Sequence, residues 1–167
     1  KEIRIDMGSN AQMNRLLQGD VGSGKTIVAL MSMFIAIDND FQSTLMAPTE
    51  ILARQHFELA KKIFINTKIN IEFLTGKSEY KLKKKILGEL KDGSINLIIG
   101  THALFQKKIF FKNLGLIIVD EQHKFGVKQR MNLAKKGGDN CDVLLMSATP
   151  IPRTMMMTLY GDMDISK

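Results

Sequence analysis

Eight residues near the start of this chain have the types and spacing to hold a polyphosphate. Gly19-Asp20-Val21-Gly22-Ser23-Gly24-Lys25-Thr26 matches the pattern G-x-x-x-x-G-K-[ST]. Glycines in such a loop let the backbone turn so that successive N–H groups point inward at phosphate oxygens. A helix beginning near Lys25 would add the positive end of its dipole. Lys25 is then placed to reach the β- and γ-phosphates, and the Thr26 hydroxyl to hold Mg²⁺. The bland alternative is a glycine-rich turn with a chance GKT. The flanks argue against it, because RLLQ (15–18) reads as a strand end and IVALMSMFIAI (27–37) as a helix buried on most sides.

A phosphate cradle needs a second, acidic site to complete the metal shell and activate water. LGLIIV (114–119) followed by Asp120-Glu121 supplies carboxylates at the end of an apolar strand. Asp120 would bind Mg²⁺, through water, and Glu121 would act as general base on the attacking water. Two acids opening a turn are common on any surface; their meaning here comes from the phosphate loop upstream. Gln122 and His123 follow at once, and Ser147-Ala148-Thr149 follows another apolar strand. Hydroxyls and an imidazole at neighbouring strand tips can hydrogen-bond to one another and report the state of a nucleotide. A coupling role for Gln122, His123, Ser147 and Thr149 stands beside the plainer reading of a structural histidine. No G-x-S-x-G elbow surrounds Ser147, so acyl transfer is disfavoured.

The elements that must position these residues alternate along the chain. STLMA (43–47), INIEFL (69–74), INLIIG (95–100), LGLIIVD (114–120) and DVLLMS (142–147) read as strands. The last three are almost wholly apolar, which suits strands covered on both faces of a parallel sheet. Between them, 51–65 carries Ile51, Leu52, Phe57, Leu59, Ile63 and Phe64 mostly at helical spacing, and 78–90 is a lysine-rich helix stopped by Asp92-Gly93. Strand and helix in alternation imply an α/β domain built on a mainly parallel sheet flanked by helices.

Composition sets the outer limits. At 167 residues, 44% hydrophobic and 25% charged, the chain has the make-up of one globular domain, not a disordered tail or a disulfide scaffold. A net charge of +7 favours a polyanionic partner. Ten Lys/Arg and four Glu lie between Arg54 and Lys91, so this stretch carries most of the excess. Within it, Lys81, Lys84 and Lys85 share one helical face opposite Leu82, Ile86 and Leu90, the pattern of a solvated outer face. The eleven methionines read as adaptable core filler. One cysteine, Cys141, excludes an internal disulfide and points to a reducing, cytoplasmic compartment. No apolar run approaches the roughly 20 residues that span a bilayer, and the first ten residues lack a signal peptide's apolar core. The start at Lys1 instead of methionine suggests a fragment or a processed product.

The motifs GDVGSGKT, APTE, DEQH and SATP, in that order, resemble motifs I, Ia, II and III of superfamily 2 helicases. The wider segments LLQGDVGSGKT, MAPTEILARQH, IIGTHALFQ, LIIVDEQHKFGVKQR and MSATPIPRTMMMTLYGDMDIS resemble the RecG family of bacterial branched-DNA helicases, over Arg15 to about Ser166. The resemblance implies a P-loop NTPase, a RecA-like three-layer αβα lobe spanning 1–167, with ATP and Mg²⁺ as cofactors. It implies an ATP-dependent enzyme that remodels stalled forks and Holliday junctions, with forked or branched DNA as partner. Pro48 and Thr49, Thr75 and Gly76, Thr101 and His102, and Arg153 are the positions it assigns to one strand's backbone. Small hydroxyls and N–H groups suit phosphate oxygens without base preference. The resemblance also places a wedge domain before Lys1 and a second motor lobe, with its arginine finger, beyond Lys167, in a monomer. Gln12 does not match the adenine-reading glutamine motif in its context AQMN.

Other readings stay open on sequence. The translocase module of transcription-repair coupling factor shares GTH, FGV and ATPIPRT, but that family usually has DEEH where this chain has Asp120-Glu121-Gln122-His123. RNA helicases usually read DEAD or DEAH there. A DNA-binding scaffold without turnover is opposed by the intact Lys25, Thr26, Asp120 and Glu121.

Overall fold

The apolar runs read as doubly covered strands form the middle of one sheet. In the computed structural model, residues 1–121, 138, 141–149 and 163–166 are described. The strands are β1 (Asn14–Gln18), β2 (Gln42–Met46), β3 (Ile71–Leu74), β4 (Leu97–Gly100), β5 (Leu114–Val119), β6 (Asp142–Ser147) and β7 (Asp164–Ser166). They lie side by side in the order β3-β4-β2-β5-β6-β1-β7. Every pairing among the described residues is parallel.

Neighbouring strand residues point to opposite faces, so continuous apolar runs feed two cores at once. Leu45, Leu97, Ile99, Leu116, Ile118 and Leu144 join one core with α2 (Lys25–Asp38) and α3 (Glu50–Ile63). Met46, Ile98, Ile117, Val119 and Leu145 join the other, with Ile86 and Leu90 of α4 (Tyr80–Asp92). The result is the three-layer αβα arrangement expected from the sequence, with the lysines 81, 84 and 85 of α4 exposed. Methionines 33, 46 and 146 are buried as core filler.

Two helix readings need correction. Helix α2 is apolar nearly all round, yet Ile27, Met31 and Phe34 stay 43%, 63% and 43% exposed, so one face is covered instead of most. In α3 the buried stripe is Ala53, His56 and Ala60, while Ile51 and Ile63 lie exposed. Small residues let the helix sit close on the sheet, and the larger Leu52, Phe57 and Leu59 pack along its margin.

Besides the short 3-10 turn His102–Phe105, one α-helix and one strand escaped the sequence reading altogether: α1 (Glu2–Met7) and β7. Both are held by the buried Arg15 of β1. Its guanidinium donates to Asp6 Oδ2 at 2.6 Å, to Ser166 Oγ at 2.9 Å and to Glu2 Oε2 at 3.3 Å. A buried cation needs this many acceptors to offset its lost hydration.

Cys141 lies fully buried at the start of β6. Burial, with a smaller contribution from the neighbouring Asp142 carboxylate, pushes its thiol up to about 12. Because the thiolate is the reactive form, Cys141 should resist a thiol-specific reagent at pH 8 in the native protein and react fully in denaturant. Rapid native-state modification would contradict this packing.

Candidate nucleotide and nucleic-acid site

In a parallel sheet every strand ends at the same edge, and ligands of open α/β sheets bind outside those carboxyl ends. Across this edge, in sheet order, stand Thr75-Gly76 after β3, Thr101-His102 after β4, Pro48-Thr49 after β2, Asp120-Glu121 after β5, Ser147–Thr149 after β6 and Gly19–Thr26 after β1. Residues scattered over the whole chain thus form one line. Candidate phosphate and metal groups occupy one half of it, and candidate backbone-contacting groups the other.

The loop after β1 has the shape a phosphate cradle requires. Gly22 and Gly24 take left-handed backbone at φ 84° and 86°, and a Cβ built on either would meet only open space. Gly24 caps α2 without any side-chain hydrogen bond, so the helix N-terminus faces the loop bare of a competing side chain. Lys25 Nζ donates to the carbonyls of Gly19 (2.6 Å) and Asp20 (2.7 Å), which centres the ammonium charge within the loop. Asp20, Val21, Gly22 and Ser23 are exposed, and Lys25 and Thr26 half-buried at the loop's base. These residues fit a triphosphate. The Thr26 hydroxyl and the Asp120 carboxylate fit Mg²⁺, which takes hard oxygen donors and is commonly bound by one or two protein groups plus substrate phosphates. Among the described residues no cluster of three or more His, Cys, Asp or Glu forms a separate metal cage.

Asp120 sits buried at the tip of β5, and Glu121 is half-buried beside it. Asp120 N–H donates to Met46 O at 2.8 Å, tying the tip to β2. Its Oδ1 accepts the Glu121 N–H at 2.9 Å. Its Oδ2 lies 2.7 Å from Nε2 of His56, a residue the sequence reading passed over. The only hint was its spacing between Ala53 and Ala60 on what proves to be the buried stripe of α3. Glu121 has φ 47°, in the left-handed region that non-glycine residues rarely adopt. Such strain costs about 1–3 kcal/mol and gathers at functional sites.

The Ser147 hydroxyl organises the loop after β6. It receives the Thr149 N–H at 3.2 Å and lies 3.2 Å from Thr149 Oγ1. Ser147 O accepts the Gly19 N–H at 3.2 Å, and Gln18 Nε2 donates to Thr149 O at 3.2 Å. The two hydroxyls meet each other, and the backbone carbonyls of the same two residues tie the loop to Gln18 and Gly19 at the base of the phosphate loop. Gln122, His123 and Arg153 lie outside the described residues; of the coupling positions, Ser147 and Thr149 are described, and they meet.

On the other half, Thr49 caps α3, its hydroxyl accepting the Leu52 N–H at 3.3 Å, and stays exposed behind Pro48. Thr75 and Thr101 are each only 4% exposed, so the outer surface of their loops belongs to Gly76 and His102. Lys83 of α4 reaches this surface, donating to Gly76 O at 2.7 Å. A lysine from the basic helix therefore joins the line of loops, while its neighbours 81, 84 and 85 are exposed on the helix.

Residues 5–158 match the DEAD/DEAH box helicase family. The chain belongs to that family. The chain is 55% identical over 166 residues to the ATP-dependent DNA helicase RecG of Streptococcus pneumoniae, covering 99% of this chain and 24% of the relative. It is 51% identical to RecG of Thermotoga maritima, covering 99% of this chain and 21% of the relative. It therefore spans less than a quarter of the length of these curated relatives. The structure of RecG bound to a three-way DNA junction superposes with a TM-score of 0.83 at 45% identity, over 99% of this chain and 22% of that one. The DEAD-box helicase Mss116 bound to single-stranded RNA shares the fold at 20% identity, with a TM-score of 0.76 over 98% of this chain and 38% of that one. The RecA-like lobe and the likeness to RecG read from the motifs are both borne out. No described helix is long and apolar enough to cross a membrane.

Proposed function

We propose that this chain is the first of two RecA-like motor lobes of an ATP-driven double-stranded DNA translocase that remodels stalled forks and Holliday junctions. The observation that carries the reading is the single line of loops along the sheet edge, phosphate groups at one half and backbone-contacting groups at the other. Gly19–Thr26 cradle the triphosphate, with Lys25 on its terminal phosphates. Thr26 and Asp120 would hold Mg²⁺, which would supply positive charge to offset that of the phosphates. Glu121 takes the proton of the attacking water. Ser147 and Thr149, with Gln122 and His123, relay nucleotide state. Pro48, Thr49, Thr75, Gly76, Thr101, His102 and Arg153 follow one DNA strand, the exposed Gly76 and His102 most directly. The chain's small share of its relatives' length supports a second lobe and a wedge domain on the same polypeptide. The protein works as a cytoplasmic monomer.

Contacts of this kind read phosphates, not bases. Binding of forked DNA to the lobe should be weak, indifferent to sequence and steeply salt-dependent, because each neutralised phosphate releases counterions. Fluorescence anisotropy at 50 and 200 mM salt, with forked DNA, duplex and single-stranded RNA in parallel, tests this. Salt-independent binding, a base preference or tighter binding of the RNA would count against the reading.

A further inference from the structure

Helix α3 joins the two halves of the site. Its N-cap, Thr49, stands among the candidate DNA contacts. Seven residues on, two turns along the same face and roughly 10 Å away by helical rise, stands His56. His56 and Asp120 are both buried, at 7% and 8% exposure. An ionised carboxylate only accepts, so the ring donates through Nε2–H to Asp120 Oδ2 across 2.7 Å. With Oδ1 occupied by the Glu121 N–H, the carboxylate's orientation is fixed from both sides. The backbone repeats the link, since Asp120 N–H bonds to Met46, two residues before Pro48. The small Ala53 and Ala60 flank His56 and seat α3 directly on the sheet. A shift of the α3 N-terminus against the sheet must therefore move the ring relative to Asp120.

We propose that His56 is a positioning residue that orients Asp120 for Mg²⁺ and couples contact at the α3 N-terminus to binding of the metal–nucleotide complex. The proposal rests on the reading of Thr49 as a DNA contact and of Asp120 as a metal group. Partners that orient a metal-binding carboxylate typically contribute 10–100-fold to metal affinity or activity. Coupling between two sites typically changes affinity 5–150-fold, by the same factor in both directions.

The test uses the full-length helicase, a non-hydrolysable ATP analogue, Mg²⁺ and forked DNA. Two variants separate hydrogen bonding from packing. In His56→Gln the amide nitrogen can take the place of Nε2, whereas in His56→Asn it stands nearer Nδ1 and falls short of Oδ2. Thermal unfolding establishes that both fold. His56→Asn should raise the Mg²⁺ concentration for half-maximal analogue binding about tenfold or more. It should also shrink the effect of the analogue on DNA affinity to below about twofold, against a wild-type effect within the usual coupling range. His56→Gln should keep most of both. Wild-type coupling in His56→Asn, or equal losses in the two folded variants, would overturn the proposal. A wild-type protein that binds neither ligand would overturn the underlying site reading instead.

Discussion

ATP turnover by these 167 residues alone should stay near background, with or without forked DNA. In the proposed mechanism Thr26 and Asp120 would hold the metal and Glu121 would accept a proton. Phosphoryl transfer also needs positive charge on the γ-phosphoryl oxygens as they pass through the transition state. An arginine finger supplying that charge is typically worth 10³–10⁵ in rate. The phosphate loop lies at an edge where Asp20 to Gly24 are all exposed, so solvent weakens what electrostatics remain. Arg130 and Arg153 follow motifs II and III closely in sequence, and no second-lobe arginine motif occurs in these residues. Turnover should return when a second lobe is supplied on the same chain. A phosphate-release assay with and without DNA decides the matter. Vigorous DNA-stimulated turnover by the isolated chain, abolished by Glu121→Gln, would show that the finger comes from within.

The placement of the site was legible wherever burial on two faces left a mark. Leu97–Gly100 and Leu114–Val119 are apolar at successive positions because both faces are covered, and this, with the alternation of strand and helix, implied parallel pairing. Parallel pairing then brings Gly19–Thr26, Asp120 and Ser147 to one edge although they are far apart in the chain. Elements held by charge were not legible in this way. Helix α1 is six residues long, too short for a period, and β7 three, and the hydrogen-bonding reach of Arg15 ties both to β1, beside burial of Ile3 and the pairing of β7 with β1. Helix α3 misled for a different reason. Its large apolar residues drew attention to Ile51 and Ile63, while the sheet accepts the small Ala53 and Ala60 and the polar His56 between them. A polar residue on a small-residue stripe is conspicuous only once the carboxylate facing it is known. Threonine types suggested hydroxyl contacts at Thr75 and Thr101, but type carries no information on burial, and both are only 4% exposed.

The central claim is that Gly19–Thr26 bind a nucleotide triphosphate with Mg²⁺. A ligand that binds only the native state raises its stability by mass action, by about 2.7 kcal/mol at a hundredfold excess over Kd. That is enough to move the Tm of a domain of this size by several degrees. The Lys25 ammonium is held within the loop by Gly19 O and Asp20 O. Lys25→Ala removes that charge while leaving the backbone cradle, so nucleotide affinity should fall steeply without loss of the fold. The measurement is thermal unfolding of wild type and Lys25→Ala, each with and without Mg²⁺ and ATP. The wild-type Tm should rise with ligand and that of Lys25→Ala should not move. An undiminished shift in Lys25→Ala would place the nucleotide elsewhere and contradict the assignment.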